Sequence, residues 1–159
     1  MKRISLFLFA TVLLFASCVK SGSGSQSCTD ISPIAEEGQI LNFCEAMGMN
    51  YTKDSSGIYY EIVDPGTGTH PTANAIITTT YVGKILTGVT LDSSTAPYTS
   101  PLSNLIRGWQ IAIPKIGKGG RIKMVVPSSL CYGCYGVPQS GLPGNTILYF
   151  DVQLLDVKL

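Results

Sequence analysis

The segment from Leu91 to Val152 contains four compact blocks, which read Leu91-Asp92-Ser93-Ser94, Leu105-Ile106-Arg107-Gly108-Trp109, Leu130-Cys131-Tyr132-Gly133 and Leu148-Tyr149-Phe150-Asp151-Val152. An aromatic residue in any one block, taken alone, is most simply interpreted as part of a hydrophobic core. The order and spacing of all four blocks together are hard to explain by packing alone. These blocks therefore guide the prediction of both the fold and the functional site.

Strand signals surround the four blocks. The β-branched run Ala75–Leu86 is the strongest of them, and Thr87-Gly88 then turns the chain back towards Val89 and Leu91. Alternating or apolar segments predict further strands at residues 51–53, 58–63, 121–126 and 146–159.

Two helices and one long loop complete the pattern. Ser32-Pro33 is a good helix start, and apolar residues at helical spacing predict a helix over residues 33–47. A second, short helix is predicted over residues 105–111, whereas the glycines and prolines of residues 128–145 predict an irregular loop of the kind that is usually functional. Together these elements predict an α+β fold, in which a curled antiparallel β-sheet wraps around one short helix, with a short N-terminal helix in addition.

Composition narrows the possible functions. The chain has 159 residues, 13% of them charged, and a formal net charge of +1 with no cluster of basic residues. A nucleic-acid partner is therefore disfavoured.

The N-terminus has the pattern of an export signal. Lys2 and Arg3 precede an apolar run that is shorter than the roughly 20 residues of a membrane span, so residues 1–17 are interpreted as a cleaved signal peptide. The small residues before Cys18 look like a bacterial lipobox, although Phe15 replaces the usual leucine, and they predict lipidation of Cys18. Residues 18–27 form a Gly/Ser-rich tether.

Export to an oxidising compartment makes disulfides plausible among Cys28, Cys44, Cys131 and Cys134. Three connectivities are possible, and we favour Cys28–Cys44 with Cys131–Cys134. Zinc binding or redox chemistry at the last pair is the alternative, which is disfavoured because there is no second close-spaced pair and no βαβ pattern.

The four blocks resemble the FKBP-type peptidyl-prolyl isomerases, and the resemblance covers roughly residues 57–159. It implies an isomerase domain over residues 57–159 and leaves residues 28–56 as an N-terminal helical extension. Because one short helix is expected to pack on its own domain, we expect a monomer. The implied reaction, rotation about the bond before proline, has a barrier near 18–20 kcal/mol and requires neither a cofactor nor a metal.

The resemblance also implies a set of site residues. Trp109 would form the floor of a proline pocket, Asp92 would orient Tyr81 and act electrostatically without proton transfer, and the Tyr132 hydroxyl would donate to a peptide carbonyl. The backbone N–H of Ile106 would be a second donor. The remaining substrate-binding walls are implied to be Leu91, Tyr98, Leu105, Leu142 and Phe150, together with the side chain of Ile106.

Departures from the family pattern affect the pocket. Leu91 stands where phenylalanine is usual, Ser100 falls near a position that is commonly aromatic, and Tyr98 replaces a frequent phenylalanine. These changes predict a wider and less aromatic pocket, so that catalysis could be modest. Each site residue also has a simpler interpretation, as a core residue, a turn or loop packing.

The sequence therefore predicts a peptidyl-prolyl cis-trans isomerase of the bacterial cell envelope, which acts on proline-containing polypeptides during the folding of exported proteins. It would be anchored to the membrane through its N-terminal lipid and would face the periplasm, since no acidic run follows Cys18. The alternative is a non-catalytic chaperone or peptide-binding module that uses the same groove. A purely structural lipoprotein is the third interpretation.

Overall fold

The computed structural model describes residues 27–159. The predicted signal peptide, the predicted lipidation site Cys18 and nearly all of the predicted tether lie outside the described residues. Within them no helix is long and apolar enough to cross a membrane. The elements, in chain order, are α1 (Pro33–Ala46), β1 (Thr52–Lys53), β2 (Tyr59–Asp64), β3 (Ile76–Ile85), β4 (Thr90–Pro101), α2 (Arg107–Ala112), β5 (Arg121–Val126) and β6 (Leu148–Lys158).

All six strands belong to one antiparallel sheet with the order β1-β2-β5-β6-β3-β4. The long β-branched strand β3 lies between β4 and β6, where both of its edges are hydrogen-bonded. The predicted α+β fold, a curled sheet with one short central helix and a short N-terminal helix, is confirmed.

Alternating side chains on β5 and β6 build two separate hydrophobic layers, because successive residues of a strand point to opposite faces. Met124, Val126 and Phe150 face α2 and belong to the larger cluster, whereas Val125 and Tyr149 face α1 and belong to the smaller one. The sheet therefore has an α2 face and an α1 face.

The helix α2 approaches the α2 face closely. A Cβ atom at Gly108 would lie 2.3 Å from Cγ1 of Val126, so only glycine fits between the helix and β5. Gly108, which weakens the helix pattern in the sequence, is the residue that allows this close contact. The helix begins at Arg107, two residues later than predicted, because Leu105 and Ile106 have extended backbones.

On the other face, α1 begins and packs as its sequence predicts. The Ser32 hydroxyl accepts a hydrogen bond from the Ala35 backbone N–H at 3.4 Å, with Pro33 in the first turn. Ile40 and Cys44, one turn apart, are completely buried against the sheet. This packing stabilises the helix, since a helix of this length is marginal in isolation.

Strand β4 is longer than the sequence indicates. Only Val89 to Leu91 was expected to be extended, but β4 continues to Pro101 and pairs along β3, with register shifts near Tyr81 and Gly83. The Asp, Ser and Pro residues of β4 favour turns over strands, so pairing with β3 determines its conformation.

The predicted disulfide pairing is wrong. Cys28 is bonded to Cys134, with 5.6 Å between the Cα atoms and a sequence separation of 106. Cys44 is enclosed between α1 and the sheet, and the Cys131 thiol lies 3.7 Å from the carbonyl oxygen of Val126, so the fold itself separates the favoured pairs. Neither of these two cysteines has a disulfide partner among residues 27–159.

Burial keeps both remaining thiols protonated. It raises the pKa of Cys44 to about 11. It also raises the pKa of Cys131 well above its ordinary range, with a smaller contribution from the negative charge of Glu36. Neither cysteine is therefore a reactive thiolate near neutral pH.

Candidate active site

A cavity of about 270 Å³ opens on the α2 face. Eight of its lining residues are those that the sequence singled out, and the ninth, Asn104, is new. The lining consists of Tyr81, Asp92, Tyr98, Asn104, Leu105, Ile106, Trp109, Tyr132 and Phe150. Strands β3, β4 and β6, the helix α2 and the loop after β5 therefore all contribute to one site.

The floor of the cavity is an aromatic cluster around Trp109, which is 4% exposed. Tyr81 and Phe150 both contact the indole edge-on, with ring centroids 5.3 and 5.6 Å away. Edge-to-face contacts are the favoured geometry for aromatic rings. Gly83 makes room for this cluster, because a Cβ atom there would lie 2.9 Å from Cε1 of Phe150.

The Trp109 ring nitrogen is buried, and its N–H has no hydrogen-bond partner among residues 27–159. A buried polar hydrogen without a partner carries a desolvation cost of about 1–3 kcal/mol.

Tyr81 and Asp92 form the polar wall. The Tyr81 hydroxyl donates to Oδ2 of Asp92 at 2.6 Å, across the paired strands β3 and β4. Burial of Tyr81, followed by this hydrogen bond to the carboxylate, raises the pKa of the phenol. Tyr81 therefore stays protonated and continues to donate to Asp92.

Two further donors lie at the opening. Tyr132 is 41% exposed, and burial of the rest of the ring raises its pKa, so the hydroxyl is protonated at neutral pH. Ile106 precedes the first turn of α2, and its backbone N–H makes no backbone hydrogen bond among the described residues. Both groups can donate to the carbonyls of a bound peptide.

Leu91 and Leu142, which were also predicted as binding residues, line an adjoining cavity of about 260 Å³. Asp92 and Tyr132 are walls of both cavities, so the two spaces meet at these residues. Ser100 lines neither cavity; it is buried on the edge strand β4, where it pairs with Ile77 of β3.

Sequence reasoning missed three lining residues. Asn104 directly precedes the Leu105 block, whereas Val137 and Ser140 belong to the long loop that was predicted to be functional. Only proximity to a recognised block or loop could have suggested them, because no motif includes their side chains.

The larger cavity offers binding and electrostatic stabilisation. Its walls are mostly aromatic and aliphatic, and among the described residues Asp92 is the one carboxyl group in the lining and no lysine or arginine contributes to it. Among residues 27–159, no three His, Cys, Asp or Glu side chains are grouped so that they could hold a metal ion.

Comparison with known proteins gives a consistent result. A sequence model described as FKBP-type peptidyl-prolyl cis-trans isomerase matches residues 67–155. The FKBP-type peptidyl-prolyl cis-trans isomerase FkpA of Escherichia coli strain K12 is 34% identical over 151 residues, which are 93% of this chain and 55% of the relative. The chain therefore spans about half the length of the curated relatives that it matches.

Solved structures agree with the sequence comparison. The crystal structure of FkpA from Escherichia coli superposes with a TM-score of 0.69 at 34% identity, and covers 79% of this chain and 61% of its own. A peptidyl-prolyl cis-trans isomerase from Pseudomonas syringae gives a TM-score of 0.68 at 28% identity, and covers 82% of this chain and 99% of its own. With more than half of its residues matched by the family's sequence model, the chain belongs to the FKBP-type peptidyl-prolyl cis-trans isomerase family.

Proposed function

We propose that this chain is a peptidyl-prolyl cis-trans isomerase that acts on proline-containing polypeptides, and that Trp109, Tyr81, Asp92 and Tyr132 are its catalytic residues. The single observation that carries the proposal is the cavity, in which an indole floor, a hydrogen-bonded tyrosine–carboxylate pair and two peripheral donors converge. Family membership supports it independently.

The geometry suits rotation about a prolyl bond. The planar amide is stabilised by resonance, which is lost at the twisted transition state. A water-poor cavity disfavours the charge-separated planar form, and groups that bind the twisted form more tightly lower the barrier. With the proline ring on Trp109, the carbonyls on either side would come within reach of the Tyr132 hydroxyl and the Ile106 N–H.

Asp92 contributes through its charge. Its Oδ2 atom is occupied by the hydrogen bond from Tyr81, so the carboxylate is held in place at the wall of the cavity. A fixed charge of this kind can stabilise the carbonyl carbon of the twisted amide, which becomes more electron-poor when the nitrogen lone pair is no longer delocalised onto it, without any transfer of a proton.

The alternative function is a non-catalytic chaperone or peptide-binding module. The feature that favours it is Leu91, an aliphatic residue in the adjoining cavity, where the family usually has an aromatic one. Weaker enclosure would lower the preference for the twisted amide while leaving a groove that binds extended chains.

One experiment separates the two functions. Purified residues 28–159 are added to a proline-containing tetrapeptide and, separately, to an aggregation-prone unfolded protein. The proposed enzyme accelerates cis-trans isomerisation of the tetrapeptide. Suppressed aggregation without faster isomerisation identifies the chaperone, and the absence of both effects contradicts both proposals.

We further propose that the protein is a monomeric lipoprotein of the bacterial cell envelope, facing the periplasm, with the isomerase domain over residues 57–159. The sequence of residues 1–27 supports the location, and the packing of α1 on its own sheet supports the monomer. In the native host, Cys18→Ala is expected to move the protein from the membrane fraction to the soluble one. Sedimentation measurements on residues 28–159 test the oligomeric state.

A further inference from the structure

The segment Cys28–Ser32, here called the N-terminal strap, lies against the loop that carries Tyr132. Cys28 forms the disulfide with Cys134, and Oδ1 of Asp30 accepts a hydrogen bond from the Cys134 backbone N–H at 2.7 Å. The residue two positions after Tyr132 is therefore attached to the strap both covalently and by a hydrogen bond.

The turn after Tyr132 is shaped to receive Asp30. Gly133 has a φ of 56°, and a Cβ atom there would lie 2.6 Å from Oδ1 of Asp30. Asn145 fixes the same arrangement from the other end of the loop. Its backbone N–H donates to the carbonyl oxygen of Gly133 at 2.8 Å, and its side-chain oxygen accepts from the Ile31 backbone N–H at 3.2 Å.

The other side of Tyr132 is held by α1. Oε2 of Glu36, a residue that is 2% exposed, accepts a hydrogen bond from the Ser128 backbone N–H at 2.9 Å. Tyr132 thus lies between two anchor points, Ser128 and Cys134, and both are bonded to residues that precede the sheet.

The Tyr132 side chain needs this support because little else fixes it. Tyr81 is held by Asp92, but the Tyr132 hydroxyl makes no hydrogen bond within residues 27–159. Its ring is also one of the more exposed in the cavity lining. The direction of its hydroxyl therefore depends on the backbone of residues 131–134.

We propose that the N-terminal strap positions Tyr132 for prolyl isomerisation, with Asp30 as the positioning residue and the Cys28–Cys134 disulfide holding the strap in place. The inference rests on the proposed function and goes beyond it, because Asp30 lines neither cavity and acts through the backbone of Cys134. A donor that shifts by about 1 Å can lose most of its effect on a transition state.

The test uses the full chain with its disulfide intact and the tetrapeptide assay. Asp30→Ala is expected to lower kcat/KM about threefold to tenfold, whereas Asp30→Asn, which keeps an oxygen at the same position, should restore most of the activity. The matched control is Asp64→Ala. Asp64 also accepts a backbone N–H within a turn, from Gly66 at 2.8 Å, but it lies at the opposite end of β5 from the Tyr132 loop.

A double-mutant cycle distinguishes positioning from general stability. If Asp30 acts through the Tyr132 hydroxyl, Asp30→Ala has no further effect on kcat/KM in a Tyr132→Phe background. The combined change Cys28→Ala with Cys134→Ala should behave in the same way. Unchanged activity in Asp30→Ala, or an equal loss in both backgrounds, overturns the inference.

The two proposals fail in different ways. If the wild-type chain is active and Asp30→Ala leaves kcat/KM unchanged, only the role of the strap is contradicted. An inactive wild-type chain contradicts the proposed enzyme, and the strap is then tested by binding of a proline peptide, followed through the fluorescence of Trp109, the single tryptophan. In that case Asp30→Ala must weaken binding in the Tyr132 background and not in the Tyr132→Phe background, and any other pattern overturns the inference.

Discussion

The sheet is covered by α2 on one face and by α1 on the other, and the two layers are built for different tasks. On the α2 face, Trp109 and Phe150 are packed into the core and at the same time line an open cavity. On the α1 face, Ile40 and Cys44 are completely enclosed against Val125 of the same sheet. The difference teaches that the α2 layer couples stability to binding, whereas the apolar layer under α1 lines neither cavity of the candidate site.

Removing the cavity floor is the strongest way to test this contrast. Trp109→Ala should lower kcat/KM about a hundredfold, since the apolar enclosure of the proline ring, worth about 1.5–3 kcal/mol, is lost. It should also lower the free energy of unfolding by about 3–5 kcal/mol. Kinetics with the tetrapeptide and urea unfolding measure the two effects.

The matched change on the α1 face is Val125→Ala, which should lower the free energy of unfolding by about 2 kcal/mol. Because Val125 points away from the cavity, kcat/KM should remain unchanged below the unfolding transition. A comparable loss of activity in this variant would break the contrast between the two faces.

The polar wall of the cavity should show a smaller effect. Asp92→Asn and Tyr81→Phe each remove a charge-assisted hydrogen bond, and each should lower kcat/KM about tenfold. Because the two groups act as one unit, the double variant should be no slower than the slower single variant. Additive losses in the tetrapeptide assay would mean that they act separately.

Glu36 belongs to α1 but binds the loop that carries Tyr132, so its substitution sharpens the comparison between the two faces of the sheet. Glu36→Ala leaves the Ser128 N–H buried without its acceptor and should lower the free energy of unfolding by about 2–3 kcal/mol. Chemical denaturation measures this loss. Substitution of the exposed Glu45 on the same helix is the control and should change stability little.

The smallest effect depends on pH. The ion pair and hydrogen bond with Lys115 lower the pKa of Asp54 to about 2 from its ordinary value of 3.8. A lowered pKa stabilises the folded chain above about pH 4, and this stabilisation is lost as the pH falls through 2. Asp54→Asn should therefore cost about 1–2 kcal/mol at pH 7 and almost nothing at pH 2. An equal cost at both pH values in urea unfolding would contradict this assignment.

The sequence predicts those elements whose local pattern and tertiary environment agree. Strand β5 has the predicted bounds, and α1 ends within one residue of its prediction. Strand β4 was largely missed, because its residues Asp92 to Pro101 have turn-like composition and become extended only through pairing with β3.

The candidate site shows the same limit. Most of its residues could be named from the four blocks and the rest from the family resemblance, and the structure brings eight of the predicted residues around one cavity. The Cys28–Cys134 bond and the contact of Asp30 with Cys134 could not be predicted, because they join segments more than 100 residues apart. Contacts of such long range depend on how the whole sheet is assembled, and local patterns do not encode them.

The Cys28–Cys134 bond also has a mechanical consequence. If tension is applied between residue 28 and Leu159, the force passes directly through the sulfur atoms into Cys134 and bypasses every residue between them. Only the last 25 positions, which include the central strand β6, can then be stretched. A force applied at residue 28 therefore cannot detach α1 from the sheet until the disulfide has been reduced.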